Sequence, residues 1–408
     1  MSIPFSPPDI REEDIQAVVD VLKSGWITTG PVGAQFEKEL ASYTDAAGAL
    51  LTSSATTAEE TIFRFLGIGP GDEVIVPAYT YTATASAALH VGADIVMVDN
   101  APDSFTPSVD AILEKVTPKT KAIVTVDLGG VIYDHGQLVS ALEKFAAGES
   151  AEKKFSPSNS VQEALGRIAV ISDAAHSLGA KLPRGLGIGA NADFCSVSFH
   201  AVKNLTTAEG GAVLWRDIPG LDNAKIYRDL RVSILHGQSK DALAKTKLGG
   251  WEYDIEFAGH KANMPDVLAA LGLSQLQRYD ETLARRREIT QRYAEALKEH
   301  GVDFLHHDSY PEASSCHLFL AVLPPAESDK RNQIIDEMAK RGVAANVHYK
   351  PLPALTAYKN LGFKLSDFPN AAALSDRVIS FPLHTKLSDE DVQTVIDVFD
   401  ASRKAVGA

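Results

Sequence analysis

Residues Ser198 to Gly211 read SFHAVKNLTTAEGG, and they follow closely on Val170 to Ala180, which read VISDAAHSLGA. The first stretch carries one lysine, Lys203, between hydroxyl-bearing residues and a flexible glycine pair. The second carries a carboxylate, Asp173, at the end of the apolar run IAVIS. Such a run bounded by polar residues is the pattern of a buried strand, and in an open parallel sheet ligands bind where the strands end. An amine able to form an imine, a carboxylate at a strand end and hydroxyls able to hold a phosphate are the parts needed to bind pyridoxal 5'-phosphate (PLP). Lys203 is the candidate Schiff-base lysine, serving as covalent anchor and then as acid/base. Asp173 is the candidate partner of the ring nitrogen, whose proton a buried carboxylate retains.

Outward from this pair, GPGDEVIVPA, ADIVMVD and TKAIVTVD repeat the pattern of short apolar runs separated by helix-compatible stretches. The alternation predicts an α/β fold, a mostly parallel sheet with helices on both faces. Asp173, Asp127 and the segment Pro77 to Tyr81 then fall at strand ends. Ile15, Val18, Val19 and Leu22 recur at helical spacing before Gly25 and predict an N-terminal helix. A polar stretch from Gly148 to Gly166 reads as a surface insertion. A long helix is expected from about Pro265 through Lys298, with Arg285, Arg286 and Arg287 on a solvated or salt-bridged face. After Gly301, HLFLAVLP, SDKRNQIIDEMAKRG and VISFPL predict a smaller α+β domain. The expected division is 1–265, a large PLP-binding domain, and 266–408, the linking helix and the C-terminal domain.

SSATTAEET, from Ser53 to Thr61, looks like a loop entering a helix N-terminus, where free amides attract anions. Ser54, Ala55 and Thr56 are candidates for a phosphate cup, with Ser198 adding a hydroxyl; taken alone, the motif is a plain helix cap. In PAYTYTATA, Tyr81 is preferred over Tyr79 as the aromatic face for the cofactor ring. The glycines of GLGIGA, Gly185 to Ala190, do not form a dinucleotide fingerprint and read as turns. His306 and His307 beside Asp308 lack metal-ligand spacing, so no metal is assigned.

A chain of 408 residues exceeds the roughly 250 to 300 at which one core stops growing, which points to two domains. The sequence has no apolar run of the ~20 residues a membrane helix needs. Its start, MSIPFSPPDIREED, lacks the basic and apolar parts of a secretory signal, so a cytoplasmic protein is expected. Cys195 and Cys316 suggest neither a disulfide framework nor a zinc site, and read as buried small hydrophobes. A net charge of -14 gives no electrostatic footprint for nucleic acid or an anionic membrane, so an anionic ligand needs a local pocket.

SGWITTGP (Ser24 to Pro31), SSAT, GPGDEVIVPAYTYTAT, SDAAHSLGA, SFHAVKNLTTAEGGAV, GHKANMPDVLAALGLSQL (Gly259 to Leu276), NVHYKP (Asn346 to Pro351) and FPLH together resemble the DegT/DnrJ/StrS-type aminotransferases, over nearly the whole chain. The resemblance implies the PLP-dependent transferase fold type I, with a seven-stranded sheet, and a homodimer with shared active sites. It implies amination of a nucleotide-diphosphate-linked keto-deoxysugar with glutamate as donor; the KNLTT form, with Thr206 and Thr207, favours carbon 4. It also implies that Lys203 carries the cofactor, Asp173 meets the ring nitrogen, His176 lies beside the ring and Tyr81 stacks on it. Ala55, Thr56 and Ser198 would hold the phosphate with Asn263 from the partner subunit, and Thr29, His348 and Tyr349 would contact substrate. KPLPAL, from Lys350 to Leu355, departs from the many relatives that place a histidine there. Other readings are a sugar dehydratase, whose Schiff-base lysine is replaced by histidine, and a non-catalytic PLP-binding regulator, for which no basic stripe is present.

Overall fold

The structure, a computed structural model, describes residues 2–133, 135–146, 155–182, 185–239, 252–307 and 314–408. Seven strands form the main sheet: β1 (Gly48–Thr52), β2 (Glu73–Pro77), β3 (Asp94–Val98), β4 (Thr120–Val126), β5 (Ala169–Asp173), β6 (Phe194–Ser198) and β7 (Gly211–Trp215). Their order is β1-β7-β6-β5-β4-β2-β3. Strands β6, β5, β4, β2 and β3 run parallel, and β7 is antiparallel to both its neighbours. Successive side chains enter opposite cores: Val74 and Val76 pack on one side and Ile75 on the other, as do Ile171 and Val170. A strand covered on both faces is mostly apolar, which is why EVIVP and AVISD read as nearly continuous hydrophobic runs.

The N-terminal helix runs Glu12–Ser24 and ends at Gly25, whose φ of 76° is the left-handed conformation that glycine adopts without a Cβ clash. The expected long helix is two. Asp266–Leu276 and Tyr279–Glu299 are separated at Gln277 and Arg278, where the backbone of Arg278 leaves helical geometry (φ -117°, ψ 14°). Its guanidinium is held there by Asp14 at 2.5 Å and by the carbonyl of Asp9 at 3.1 Å.

The run of three arginines is also not one solvated face. A helix turns about 100° per residue, so neighbours point to different surroundings. Arg285 reaches Asp389 at 2.9 Å, whereas Arg286 is 4% exposed and donates to the carbonyls of Cys316 and His317 at 2.9 and 2.6 Å.

The proposed insertion is only partly a surface feature. Residues 148–154 lie outside the described ones. Beyond them, Ser160–Leu165 is a helix capped by Asn159. Gln162 is fully buried and donates to the carbonyl of Leu66, and Val161 joins the core. The polar side chains of this stretch therefore dock it against the C-terminal end of the helix Ala55–Phe65.

A second sheet, β8 (Asp303–Phe304), β9 (Phe319–Val322) and β10 (Val378–Phe381), is antiparallel in the order β10-β9-β8. Leu320, Val322 and Val378 face the core shared with the main sheet. Phe319, Ala321, Ile379 and Phe381 face a separate core built with helices Tyr279–Glu299, Arg331–Lys340 and Asp389–Ala405. Both cysteines are buried and form no disulfide. Among the described residues no helix is long and apolar enough to cross a membrane.

Candidate active site

The ends of β2, β5 and β6 open on one cavity of about 340 Å3. Ser54, Ala55, Thr56, Tyr81, Asp173, His176, Ser198, Lys203, His348 and Tyr349, all singled out from sequence, line it. Asn263 and Thr29 do not: they contact each other, Thr29 Oγ1 donates to the carbonyl of Met264 at 2.8 Å, and Asn263 bridges to Thr52.

Asp173 is the last residue of β5. Thr84 donates to its Oδ2 at 2.7 Å and the amide of Ala175 to its Oδ1 at 3.2 Å. Burial raises its pKa, against these donors and the nearby charge of Lys203. The same burial lowers the Lys203 amine to about 8, with Asp173 opposing. A lysine so shifted is largely neutral slightly above physiological pH, the state in which it is a nucleophile or base. Asp127, at the end of β4, has no such role. Ser172, Ser177 and the amide of Tyr133 satisfy it at 2.9, 2.7 and 2.9 Å, and burial pushes it up to about 6.

The loop that carries Lys203 is fixed by its polar residues. Asn204 donates to the carbonyl of Ser315 at 3.0 Å and accepts from His317, while Thr206 donates to the carbonyl of Phe199 at 3.0 Å. Thr206 and Thr207 are buried and outside the cavity. The glycine pair is a close contact and not a flexible link. Gly211 is paired with Ser198 on one side and Thr52 on the other, and a Cβ on it would lie 2.3 Å from the backbone carbon of Ser54.

Ser54 caps the helix Ala55–Phe65. Its Oγ accepts from the Thr57 amide at 3.1 Å, and Thr57 Oγ1 accepts from the Ser54 amide at 3.1 Å. The capping reading of this motif is thus correct for Ser54. It leaves the amides of Ala55 and Thr56, which have no intrahelical acceptor, at the positive end of the helix dipole beside the cavity. Ser198 Oγ accepts from the His200 amide at 3.3 Å.

Tyr81, 59% exposed, packs its ring 5.8 Å from that of Tyr349. Tyr79 is buried instead. It donates to the carbonyl of His348 at 2.8 Å and accepts from the Tyr349 amide at 2.9 Å, fastening that segment to the main sheet. His348 bonds Ser380 at 2.8 Å and is lowered to about 4 by burial and by Lys203.

Thr84 and Glu59 are site residues that the sequence reading missed. Glu59 was signalled by its place on the apolar helix face with Ile62 and Phe63, where a carboxylate is out of pattern.

An amine able to lose its proton, a buried carboxylate, an anion-attracting helix end and a flanking aromatic fit PLP, whose three recognisable parts are aldehyde, ring nitrogen and phosphate. The comparisons with known proteins agree. A family model described as the DegT/DnrJ/EryC1/StrS aminotransferase family matches residues 8–150 and 161–400. The chain is 34% identical over 404 residues to the spore coat polysaccharide biosynthesis protein SpsC of Bacillus subtilis, covering 97% of this chain and 95% of that protein. Its fold superposes on the putative sugar aminotransferase Spr1654 of Streptococcus pneumoniae in the PMP-form, with a TM-score of 0.94 and 48% identity over 99% and 100% of the two chains. The PLP-form of that protein gives 0.93 and 46% over 100% of both. Helicobacter pylori PseC, an aminotransferase involved in the biosynthesis of pseudoaminic acid, gives 0.86 and 26% over 99% and 100%.

Proposed function

The chain belongs to the DegT/DnrJ/EryC1/StrS aminotransferase family, and from that premise we propose that it moves an amino group from glutamate to a keto carbon of a nucleotide-diphosphate-linked deoxysugar. It is a PLP-dependent sugar aminotransferase. PLP supplies a carbonyl that takes up the amino group and a ring that accepts electrons from the reacting carbon. The observation that carries the reading is the meeting of Lys203 and Asp173 in one cavity beside the N-terminus of Ala55–Phe65. Lys203 anchors the cofactor and afterwards moves the proton at the reacting carbon. Asp173 holds the ring nitrogen's proton, and the amides of Ala55 and Thr56 with Ser54 and Ser198 hold the phosphate. Tyr81 and His176 flank the ring.

His348 and Tyr349 reach the cavity from the C-terminal part of the chain and are assigned to the sugar side. Thr29 and Asn263 serve the active site of a second copy, with Asn263 on its phosphate. The exposed apolar side chains of Tyr253, Ile255, Phe257 and Val202 suit burial between two such copies. We read 1–265 as the cofactor-binding unit and 266–408 as the unit that completes the substrate side. A sugar made for a surface glycoconjugate accords with the spore coat polysaccharide role named for SpsC. The preference for carbon 4 rests on family resemblance, since Thr206 and Thr207 do not reach the cavity.

The test is a visible spectrum followed by a substrate panel. PLP-loaded protein should show a long-wavelength band that is absent in Lys203→Ala and is bleached by glutamate. UDP-, dTDP- and GDP-linked keto-sugars are then assayed by mass spectrometry for the added amine. A protein that glutamate leaves unchanged, or that aminates no sugar nucleotide, contradicts the proposal.

A further inference from the structure

Glu59 is a carboxyl group in the cavity wall that the roles above leave unused. It lies on the helix Ala55–Phe65 and is 1% exposed. Its Oε1 accepts from Ser196 Oγ at 2.9 Å, and its Oε2 is buried with no hydrogen-bond partner. Ser196 and Asp173 are register partners on β6 and β5, so their side chains rise side by side from one face of the sheet. The helix therefore sets the Glu59 carboxyl next to that of Asp173.

Two neighbouring carboxyl groups in a water-poor site do not both ionise at low cost. Asp173 has two donors, Thr84 and the Ala175 amide, and shares the cavity with Lys203, whereas Glu59 has only Ser196. The proton belongs on Glu59. Burial first, and then the charge of Asp173, hold its pKa well above the usual carboxyl range.

Among the described residues, no cation of the elements packed on its helix pairs with Glu59. Strands β1 and β7 carry no ionisable side chain there, and the helix Thr82–His90 offers Thr84. On the helix Asn223–Ser233, Lys225 and Arg228 pair with Asp229, Arg231 donates to the Tyr227 hydroxyl, and Tyr227 donates to Glu37. Glu60, next along the chain, adds a further negative charge and is tied to His90 at the surface.

We propose that Glu59 is the proton store of the cofactor site: it holds a proton on Oε2 in the cofactor-free protein and releases it to the ring nitrogen of PLP as the ring settles against Asp173. The Oε2–H bond breaks, the ring N–H bond forms, and the new Glu59 carboxylate is balanced by the new positive charge on the ring. The inference rests on Asp173 being the ring nitrogen's partner.

The experiment is calorimetric titration of apoprotein with PLP at intervals from about pH 7 to about pH 9 in buffers of different ionisation enthalpy, above the ordinary titration range of a pyridine nitrogen. Glu59→Gln, an isostere without the acidic proton, should take up about one more proton per PLP bound than wild type. Its PLP affinity should also fall about tenfold more steeply per pH unit on the alkaline side. Equal proton counts in the two proteins overturn the inference while leaving the PLP site intact. Failure of wild type to bind PLP overturns the site reading and the inference together. Wild type alone provides a second readout, independent of how the variant folds. Infrared difference spectra of loaded minus free protein should show loss of a carboxylic-acid carbonyl stretch, and an unchanged carboxylic-acid signal overturns the inference.

Discussion

His176 donates from Nε2 to the hydroxyl of Tyr349 at 3.2 Å, because its other ring nitrogen, Nδ1, already accepts the amide proton of Gly129 at 3.2 Å. A neutral imidazole has one proton, so a donor on Nδ1 fixes that proton on Nε2. The ring is neutral here: burial, with Lys203 and His348 nearby, holds its pKa well below the usual histidine range. With its oxygen accepting from His176, the Tyr349 hydroxyl keeps its own proton for a partner in the cavity. Burial also raises the Tyr349 pKa, so it remains a donor at every working pH.

Tyr349→Phe removes that donor and leaves the His176 N–H buried without an acceptor, a loss of roughly 1–3 kcal/mol. The variant should bind PLP with an unaltered spectrum and lose stability by that amount. Loss of the Tyr349 donor at the reacting groups should separately lower kcat by about tenfold or more, the effect of about 1.4 kcal/mol of transition-state stabilisation. A kcat equal to wild type would show that Tyr349 has no contact with the reacting groups.

The lowered pKa of Lys203 has a kinetic sign. The amine reacts only when neutral, so the rate of PLP capture should fall as pH drops through about 8 and level off above it. Stopped-flow growth of the visible band checks this. A midpoint near the ordinary lysine value of about 10.4 would contradict it.

If Asn263 serves the neighbouring subunit, Lys203→Ala and Asn263→Ala should complement. Each is expected to be weak or inactive alone. Unfolded together and reassembled, the mixed dimers carry one intact site, restoring about a quarter of wild-type activity in a random mixture. Absence of recovery in verified mixed dimers would place Asn263 in its own chain's site or in none.

Asp193 is a buried anion between two arginines. Arg167 reaches it at 2.7 and 2.9 Å and Arg216 at 2.7 Å. Hydrogen bonding and charge from Arg167, followed by Arg216, hold its pKa below the usual value against burial. A depressed carboxylate pKa contributes stability that is present above the unfolded value and is lost as pH falls through the folded one. Asp193→Asn should cost about 3–5 kcal/mol at neutral pH, by denaturant unfolding, and the cost should shrink toward acid.

The strands that could be read from the sequence are those whose buried positions are filled mostly by consecutive apolar side chains. EVIVP, TKAIVTV and AVISD are continuous apolar runs, and their ends located Tyr81 and Asp173. GALLT begins with glycine and FCSVS alternates with serine, so neither β1 nor β6 has that signature, although β6 delivers Ser198. The break at Arg278 and the inward turn of Arg286 depend on partners far along the chain, Asp14 and the Cys316 carbonyl, which local periodicity does not encode. Glu59 stands out on the apolar face of its helix, but the partners that give it a role, Ser196 and Asp173, arrive from other strands.

Thr52, Gly211 and Ser198 lie in one row across β1, β7 and β6. The chain leaves β1 into the helix cap at Ser54 and leaves β6 into the lysine loop, with the glycine between them. Two strand spacings, about 10 Å, therefore separate Thr52 from Ser198, the points at which the chain turns toward the helix cap and toward the lysine loop. The backbone acts as a ruler: the sheet sets how far apart Ser54 and Ser198 stand before any side chain recognises a ligand.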